Sequence, residues 1–307
     1  MNNDRFVLDT TGQAFFESEL KYVAERTYDR VYPRLTARTL FPVASNFAPW
    51  ASDVAFRSYE RFGAAKIMAD SAIDMPLVDV AGAEQSYPAR TVGMGFNYSD
   101  LELIRAQRTG VRLDEKRSFA AREAIETEIN RIAFNGDSDF NLPGLFDNSD
   151  IGSADATTGG WVSTATAAQI VADLQALYAA YFAQNNGEEI PNTLALAPAP
   201  YARIAVTAMG TYDTRTILGW LQAGGLPGVN NVIMCPDCHS VAAFTSDDVG
   251  ILYTRDSSKL ELKLPAEVKI FAPQATGIGF HIPMYARVSG LHIFYPKSIY
   301  VLKNLQG

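Results

Sequence analysis

The spacing of hydrophobic positions differs between regions of this chain and predicts different elements. Between Asp114 and Phe134 they recur at three- and four-residue steps, which is typical of an amphipathic helix. From Val92 to Tyr98 they alternate with polar residues and glycine, which is typical of a strand. Helical and strand-like segments follow each other after about residue 150, and strand patterns dominate beyond Val229. The chain is therefore predicted to be an α+β protein.

The predicted helix Asp114–Phe134 is the longest element. Its apolar stripe consists of Ala121, Ile125, Ile129 and Ile132, with Phe119 and Ala133 beside them. Asp114 is predicted to cap its start, and Gly136 to end it in a left-handed conformation. At 1.5 Å per residue the helix is roughly 30 Å long. With a single narrow apolar face, it is expected to lie on a surface, with its charged faces toward water or charged neighbours.

Residues 50–112 are predicted to contain two long strands with a loop that protrudes from the body. Four apolar residues, Ile73, Met75, Leu77 and Val78, lie near the tip of this loop. A monomer rarely keeps such a loop in water, so we expect it to lie on another subunit. Gly93 and Gly95 share one face of the last strand and predict the close approach of another backbone.

The region after residue 150 is predicted to be a compact α/β domain. One helix should run from Thr166 to Gln184, opened by a capping box and closed by Asn186-Gly187. A short strand at Thr193–Ala197 and a helix opened by Pro200 should follow. Leu291–Leu302 is predicted to form a last pair of strands.

Charge is distributed unevenly between two neighbouring segments. Residues 65–85 hold four acidic residues and one lysine, whereas residues 101–122 hold six basic and three acidic residues. One hypothesis is that the acidic loop of one copy docks on the basic helix start of the next. The alternative is scattered surface charge without a partner. The candidate contact residues are Asp70, Asp74, Asp79, Arg105, Arg108, Arg112, Lys116 and Arg117.

A second basic series lies near the N-terminus, where arginine recurs every fourth residue at positions 26, 30, 34 and 38. It could bind phosphate or a partner. Pro33 interrupts a single helical face, so we favour a solvated face or pairing with acids on a neighbouring chain.

Composition excludes several classes of protein. The chain has 307 residues, 48% of them hydrophobic, and a net charge of −8. No run approaches the ~18 apolar residues of a membrane span, and the N-terminus lacks the pattern of a secretory signal. The acidic balance argues against general nucleic-acid binding. Two cysteines form no disulfide framework, which fits a reducing cytoplasm.

One sequence motif has several possible chemical roles. Cys235-Pro-Asp-Cys238-His239 matches the C-x-x-C-H pattern of covalent haem attachment, and it could also be a redox pair or half of a zinc site. A zinc site needs four ligands, and the other histidines are His281 and His292. We favour a strand entering a turn with two buried or half-buried thiols. No catalytic residue, cofactor or metal ion is expected.

The order of elements resembles a tailed-bacteriophage major capsid protein of the Hong Kong 97-type fold. The phrases RSFAAREAIETEINRIAFNGD, GLFDN and VSGLHIFYPKSIYVL carry the resemblance. It implies an N-terminal arm at residues 1–48 and an extended loop at 49–94. It also implies a peripheral domain with the spine helix at 95–150 and 263–307, and a central, axial domain at 151–262.

The function implied by this resemblance is structural. Many copies would form hexamers and pentamers of an icosahedral virion shell, assembled in the host cytoplasm. The shell would enclose double-stranded DNA without sequence-specific binding, with portal and scaffolding or decoration proteins as partners and no membrane. One alternative is an encapsulin-type compartment that packages an enzyme. The other is a redox or haem protein that uses the C-x-x-C-H motif.

Overall fold

The computed structural model describes residues 35–45, 47–62, 79–99, 101–102, 113–157, 160–163, 165–210, 213–244, 247–277 and 279–306. The helices are α1 (Ala37–Leu40), α2 (Leu113–Asn135), α3 (Ala167–Asn185), α4 (Pro198–Val206) and α5 (Ile217–Trp220). The strands are β1 (Val43–Ala44), β2 (Asp53–Phe62), β3 (Asp79–Pro88), β4 (Arg90–Ser99), β5 (Gly152–Asp155), β6 (Thr193–Leu196), β7 (Asn231–Met234), β8 (Gly250–Tyr253), β9 (Leu260–Lys263), β10 (Ala266–Ile270), β11 (Gln274–Ala275), β12 (Gly279–Val288), β13 (Gly290–Ile293) and β14 (Ile299–Lys303). This content confirms the predicted α+β class.

Helix α2 is the predicted long helix, and its predicted apolar stripe is buried. Ala121, Ile125, Ile129 and Ile132 belong to one core cluster. Phe119, however, is 71% exposed, so its assignment to the buried side was wrong. The helix begins at Leu113, which places Asp114 inside the first turn rather than at the cap. Gly136 ends it with φ of 67°, as predicted.

The extended region is built from three long strands. Among the described strands, β2 and β3 pair only with each other, as an antiparallel ribbon from Asp53↔Pro88 to Phe62↔Asp79. β4 follows after a single residue and pairs along its whole length with β12. A Cβ atom at Gly95 would come within 2.6 Å of the His281 ring and 3.3 Å of the Ile282 carbonyl oxygen. The close approach therefore comes from a side chain as well as a backbone.

The fold also contains a five-stranded sheet, in which the strand order is β5–β14–β8–β6–β7. Successive side chains of a strand point to opposite faces of the sheet, so alternate residues belong to two different hydrophobic clusters. Leu194, Leu196 and Leu252 pack with the buried face of α3. Ala195 and Ile251 belong to the cluster that contains α2. The sheet is thus covered on both faces, which explains its continuous apolar runs.

The boundaries of α3 follow the predicted signals closely. Gln169 Oε1 accepts a hydrogen bond of 2.8 Å from the Thr166 N–H, as expected for a capping box. Asn186 and Gly187 both have positive φ, 54° and 76°, and end the helix. The next helix begins at Pro198 rather than Pro200, and Val206 at its end is exposed.

The last two strands differ from the prediction. β13 and β14 do not pair with each other: β13 pairs with β9, whereas β14 pairs with β5 and β8. The short 3₁₀ turn at Pro296–Ser298 carries the chain from one sheet to the other. β14 therefore lies in the sheet of the segment predicted as central, and β9 lies beside β13. Sheet membership does not follow the predicted boundary between residues 262 and 263.

Candidate assembly surfaces

The β2–β3 ribbon is held at its root by Arg287 on β12. One guanidinium nitrogen donates to the carbonyl oxygen of Pro49, just before β2, and another donates to that of Ala89, just after β3, at 2.9 Å. The Ala89 N–H also donates to Ser52 O at 2.7 Å. A planar guanidinium suits this role because it presents several donors in fixed directions. One side chain therefore fixes both strands of the ribbon to the body at the root.

Four rings pack beneath the same root. Phe56 of β2 lies 4.8 Å from the Phe294 ring centre, and Tyr87 of β3 lies 5.0 Å from that of His292. His292 Nε2 lies 3.1 Å from both the carbonyl oxygen and the hydroxyl of Ser289. Burial lowers the pKa of the His292 imidazole to about 4, so the ring is neutral at pH 7. The root is an aromatic cluster around an uncharged histidine.

Beyond the root, the ribbon residues whose side chains are described are exposed. Arg57 and Glu84 form an ion pair across its two strands, with both side chains more than half exposed. An isolated two-stranded ribbon is only marginally stable in water. Each strand also keeps an edge whose backbone groups no other described strand pairs. These properties suit a surface that another chain covers.

The structure places few of the eight candidate contact residues. Asp70, Asp74, Arg105, Arg108 and Arg112 lie outside the described residues. Asp79 begins β3 and Lys116 lies in α2, and the side chain of neither is described.

Arg117 alone among the eight has a described side chain. It pairs with Glu102 at 3.0 Å and donates to Asn97 O at 2.7 Å. Its charge is thus already engaged within its own chain. The docking hypothesis accordingly remains a prediction for the other seven residues.

A second feature is the attachment of the segment around Thr36 to helix α2. Asn130 of α2 accepts hydrogen bonds through Oδ1 from the N–H groups of Thr36, at 3.1 Å, and Ala37, at 2.9 Å. Its Nδ2 donates to Asp237 Oδ1 at 2.6 Å, and the Thr36 hydroxyl donates to Asp237 Oδ2 at 2.9 Å. Burial raises the pKa of the Asp237 carboxyl. This closed network joins α1, α2 and the turn after β7.

Arg38 reinforces this attachment. Its guanidinium forms ion pairs of 2.8 Å with both Glu126 of α2 and Glu267 of β10. The prediction of a solvated face, or of acids on a neighbouring chain, was wrong for this arginine. Arg26, Arg30 and Arg34 lie outside the described residues. The acids that bind Arg38 are distant in sequence, so periodicity gave no signal for them.

The C-x-x-C-H segment is a strand that enters a turn, as predicted. β7 ends at Met234, Cys235 follows, and Pro236–Cys238 is a 3₁₀ turn. Both thiols are fully buried, at 0% exposure. His239 is committed to Asp248, with 2.6 Å between Nδ1 and Oδ1.

This burial argues against covalent haem attachment, which requires both sulfur atoms to face a porphyrin. Within the described part of the chain, no three His, Cys, Asp or Glu side chains are grouped to hold a metal ion. None of the described helices combines the length and apolar character needed to cross a membrane.

Large apolar side chains are also exposed at separate places on the surface. Trp50, beside the root of the ribbon, is 85% exposed, and Phe119 on α2 is 71% exposed. The others are Val43, Met94, Leu101, Phe140, Val162, Ile190, Val206, Met234, Ile270, Phe271 and Phe280.

Sequence reasoning missed Trp50, Asn130, Arg287 and His292. Asn130 had a signal, since it interrupts the apolar stripe between Ile129 and Ile132.

Comparisons with known proteins agree with this architecture. The family model described as major capsid protein matches residues 63–303. The structure resembles the capsid of Myoviridae phage XM1 with a TM-score of 0.81 at 15% identity, covering 94% of this chain and 98% of that chain. The capsid of an empty GTA particle gives 0.63 at 12% identity, covering 99% and 100%.

A more distant likeness is to a virus-like particle from Pyrococcus furiosus, with a TM-score of 0.53 at 14% identity, covering 86% of this chain and 91% of that chain. No match was found among curated protein sequences. The family model covers most of the chain, and the fold agrees with it. The chain therefore belongs to the major capsid protein family and has the Hong Kong 97-type fold of tailed-phage capsids.

Proposed function

We propose that copies of this capsid protein assemble, in the host cytoplasm, into an icosahedral shell of hexamers and pentamers around double-stranded phage DNA. The observation that carries the proposal is the β2–β3 ribbon, whose described contacts with the body lie at its root. Each strand has ten residues, so the ribbon extends about 33 Å. A ribbon of that length gains stability by lying on a neighbouring copy. Repeated around a closed shell, many such modest contacts add up.

The net charge of −8 supports enclosure of DNA without strong binding to it. Portal, scaffolding and decoration proteins remain proposed partners. The division into arm, extended loop, peripheral and axial domains is likewise proposed. The described part of the proposed arm is fixed to the body at Thr36 and Arg38.

Purification followed by negative-stain microscopy and nuclease protection tests this function. We expect closed particles of uniform diameter that contain nuclease-resistant DNA when made during phage production. An encapsulin-type compartment would instead contain a packaged enzyme and no genome. The higher TM-score of the phage capsid, 0.81 against 0.53 for the virus-like particle, favours the phage assignment. Particles that hold only protein cargo would contradict it.

We further propose that the acidic loop and the basic helix start meet between copies. Because Arg117 pairs with Glu102 in its own chain, the docking charge is assigned to Arg105, Arg108, Arg112 and Lys116. Reversing Asp70, Asp74 and Asp79 to lysine should impair assembly while the subunit stays folded. Adding Arg105→Glu, Arg108→Glu and Arg112→Glu to that variant should restore particles. Normal assembly of the first variant, or no rescue by the second, would contradict electrostatic docking.

A further inference from the structure

The C-x-x-C turn lies directly against the segment that attaches the N-terminal part of the chain. The Thr36 hydroxyl is 3.5 Å from Cys235 Sγ and 2.9 Å from Asp237 Oδ2. Asn130 holds the backbone of Thr36 and Ala37 and also binds Asp237. Thr36 is itself only 2% exposed. The Cys235 thiol is therefore in contact with Thr36, the residue that Asn130 fixes to α2.

The two cysteines are placed to react with each other. The Cys238 N–H donates to Cys235 O at 3.2 Å, which closes the turn. Both sulfur atoms are free in the structure. A three-residue step through a tight turn brings the Cα atoms into the range of about 4.4–6.8 Å that a disulfide requires.

Their acidities differ in the direction that disulfide formation needs. Burial opposes ionisation of Cys235, but its interaction with the Cys238 side chain outweighs burial and lowers the pKa of this thiol. Burial raises the pKa of Cys238 well above its usual value, with further contributions from Cys235 and the neighbouring carboxylates. Since the thiolate is the nucleophile, Cys235 attacks first and Cys238 closes the bond.

We propose that Cys235 and Cys238 form a redox-sensitive pair that closes into a disulfide when the segment at Thr36 opens, and that closure weakens the attachment of that segment. The oxidant is a small disulfide of the glutathione type. The Cys235 thiolate attacks one of its sulfur atoms, which forms a mixed disulfide and releases one thiol. Cys238 loses its proton and attacks the Cys235 sulfur, which releases the second thiol. Two thiols of the protein are oxidised, and one small disulfide is reduced.

The contacts of Cys235 and Asp237 explain how disulfide formation weakens the attachment of the segment at Thr36. A disulfide removes the Cys235 thiol that faces the Thr36 hydroxyl and draws the turn that carries Asp237 into a new geometry. The Asp237 links to Thr36 and Asn130 then weaken, and the chain near Leu35 becomes open to protease. In the closed network, by contrast, the thiols have no access to solvent and resist oxidation.

The experiment incubates the folded chain with oxidised glutathione and follows the two thiols by mass spectrometry. Wild type should slowly lose two hydrogen atoms within the peptide that contains residues 235–238, and trypsin should then cut faster at Arg38. Asn130→Ala removes the hydrogen bonds that hold the segment at Thr36 beside Cys235. The thiols of this variant should oxidise about tenfold faster than those of wild type, the factor expected for the loss of one net hydrogen bond. Asn185→Ala is the matched control, since Asn185 is also buried and hydrogen-bonded but lies at the end of α3.

Arg38→Met is the second variant, because it loosens the same segment through surface ion pairs and should leave the fold intact. Cys238→Ser should stop at the mixed disulfide on Cys235. The proposal is overturned if both wild-type thiols stay free, or if Asn130→Ala and Arg38→Met oxidise no faster than Asn185→Ala. It is equally overturned if the disulfide forms and cleavage at Arg38 does not accelerate.

Discussion

Arg287→Met should release the root of the β2–β3 ribbon without disturbing the rest of the subunit. The substitution keeps most of the aliphatic side chain of Arg287 but removes the donors to Pro49 O and Ala89 O. Both acceptors lie where the ribbon joins the body. The aromatic contacts of Phe56 and Tyr87 remain, so the ribbon should stay folded and become looser at its base.

The size of the effect follows from those two bonds. A hydrogen bond from a charged donor contributes about 1.5–3 kcal/mol, and part of that is regained because the carbonyls near the surface can bind water. Arg287 Nε is buried, and none of the described residues pairs with it, so its removal also relieves a cost. We therefore expect a net loss of about 2 kcal/mol in local stability, or roughly 30-fold faster local opening.

Hydrogen–deuterium exchange of the unassembled subunit measures this opening directly. The diagnostic amide is Ala89 N–H, which donates to Ser52 O at the root. Arg57→Met is the matched control, since Arg57 is an arginine on the ribbon itself, in an exposed ion pair worth about 0–1 kcal/mol. Equal exchange at Ala89 in both variants would refute the role of Arg287.

Three further predictions concern packing and pH. His292→Phe should flatten the pH dependence of unfolding. The pKa of the His292 imidazole is about 4 in the folded chain, below the unfolded value near 6.5. The stability contributed by neutral His292 is therefore full above pH 6.5 and is lost as pH falls toward 4. Gly144→Ala should cost about 3 kcal/mol in thermal unfolding, because its Cβ would lie 2.1 Å from Gly136 N, whereas Gly210→Ala meets no atom within 4 Å. Ile129→Ala should cost about 2–5 kcal/mol of unfolding free energy, whereas Phe119→Ala should leave the subunit stable and reduce particle yield.

Each of these predictions has a contrary outcome. A wild-type denaturation curve that is unchanged between pH 6.5 and 4.5 would contradict the neutral state assigned to His292. Equal stability of the two glycine variants would contradict the close contact at Gly144. Normal particle yield from Phe119→Ala would remove this residue from the assembly surface.

Local patterns determined much of the fold before any tertiary contact was known. Helix α2 and its stripe followed from the spacing of Ile125, Ile129 and Ile132. The ends of α3 followed from Thr166 at one side and Asn186-Gly187 at the other. These signals are readable because they depend on neighbouring residues in one segment. The order of elements was enough to indicate the family.

The contacts that organise the candidate surfaces could not be read in this way. Arg38 pairs with Glu126 and Glu267, and Arg287 binds Pro49 and Ala89, across sequence separations of up to 238 residues. The destination of β14 also depended on a turn that crosses between two sheets.

The sequence by itself thus determined which segments are helices or strands, which faces are apolar, and which family the order of elements indicates. Tertiary structure decided where polar side chains find their partners: Asn130 beneath Thr36, Arg287 at the root of the ribbon, and His292 among aromatic rings. The physical reason is the range of the interactions. Hydrophobic periodicity is written into each segment, whereas a buried donor is satisfied by whichever distant acceptor the folded chain brings within about 3 Å.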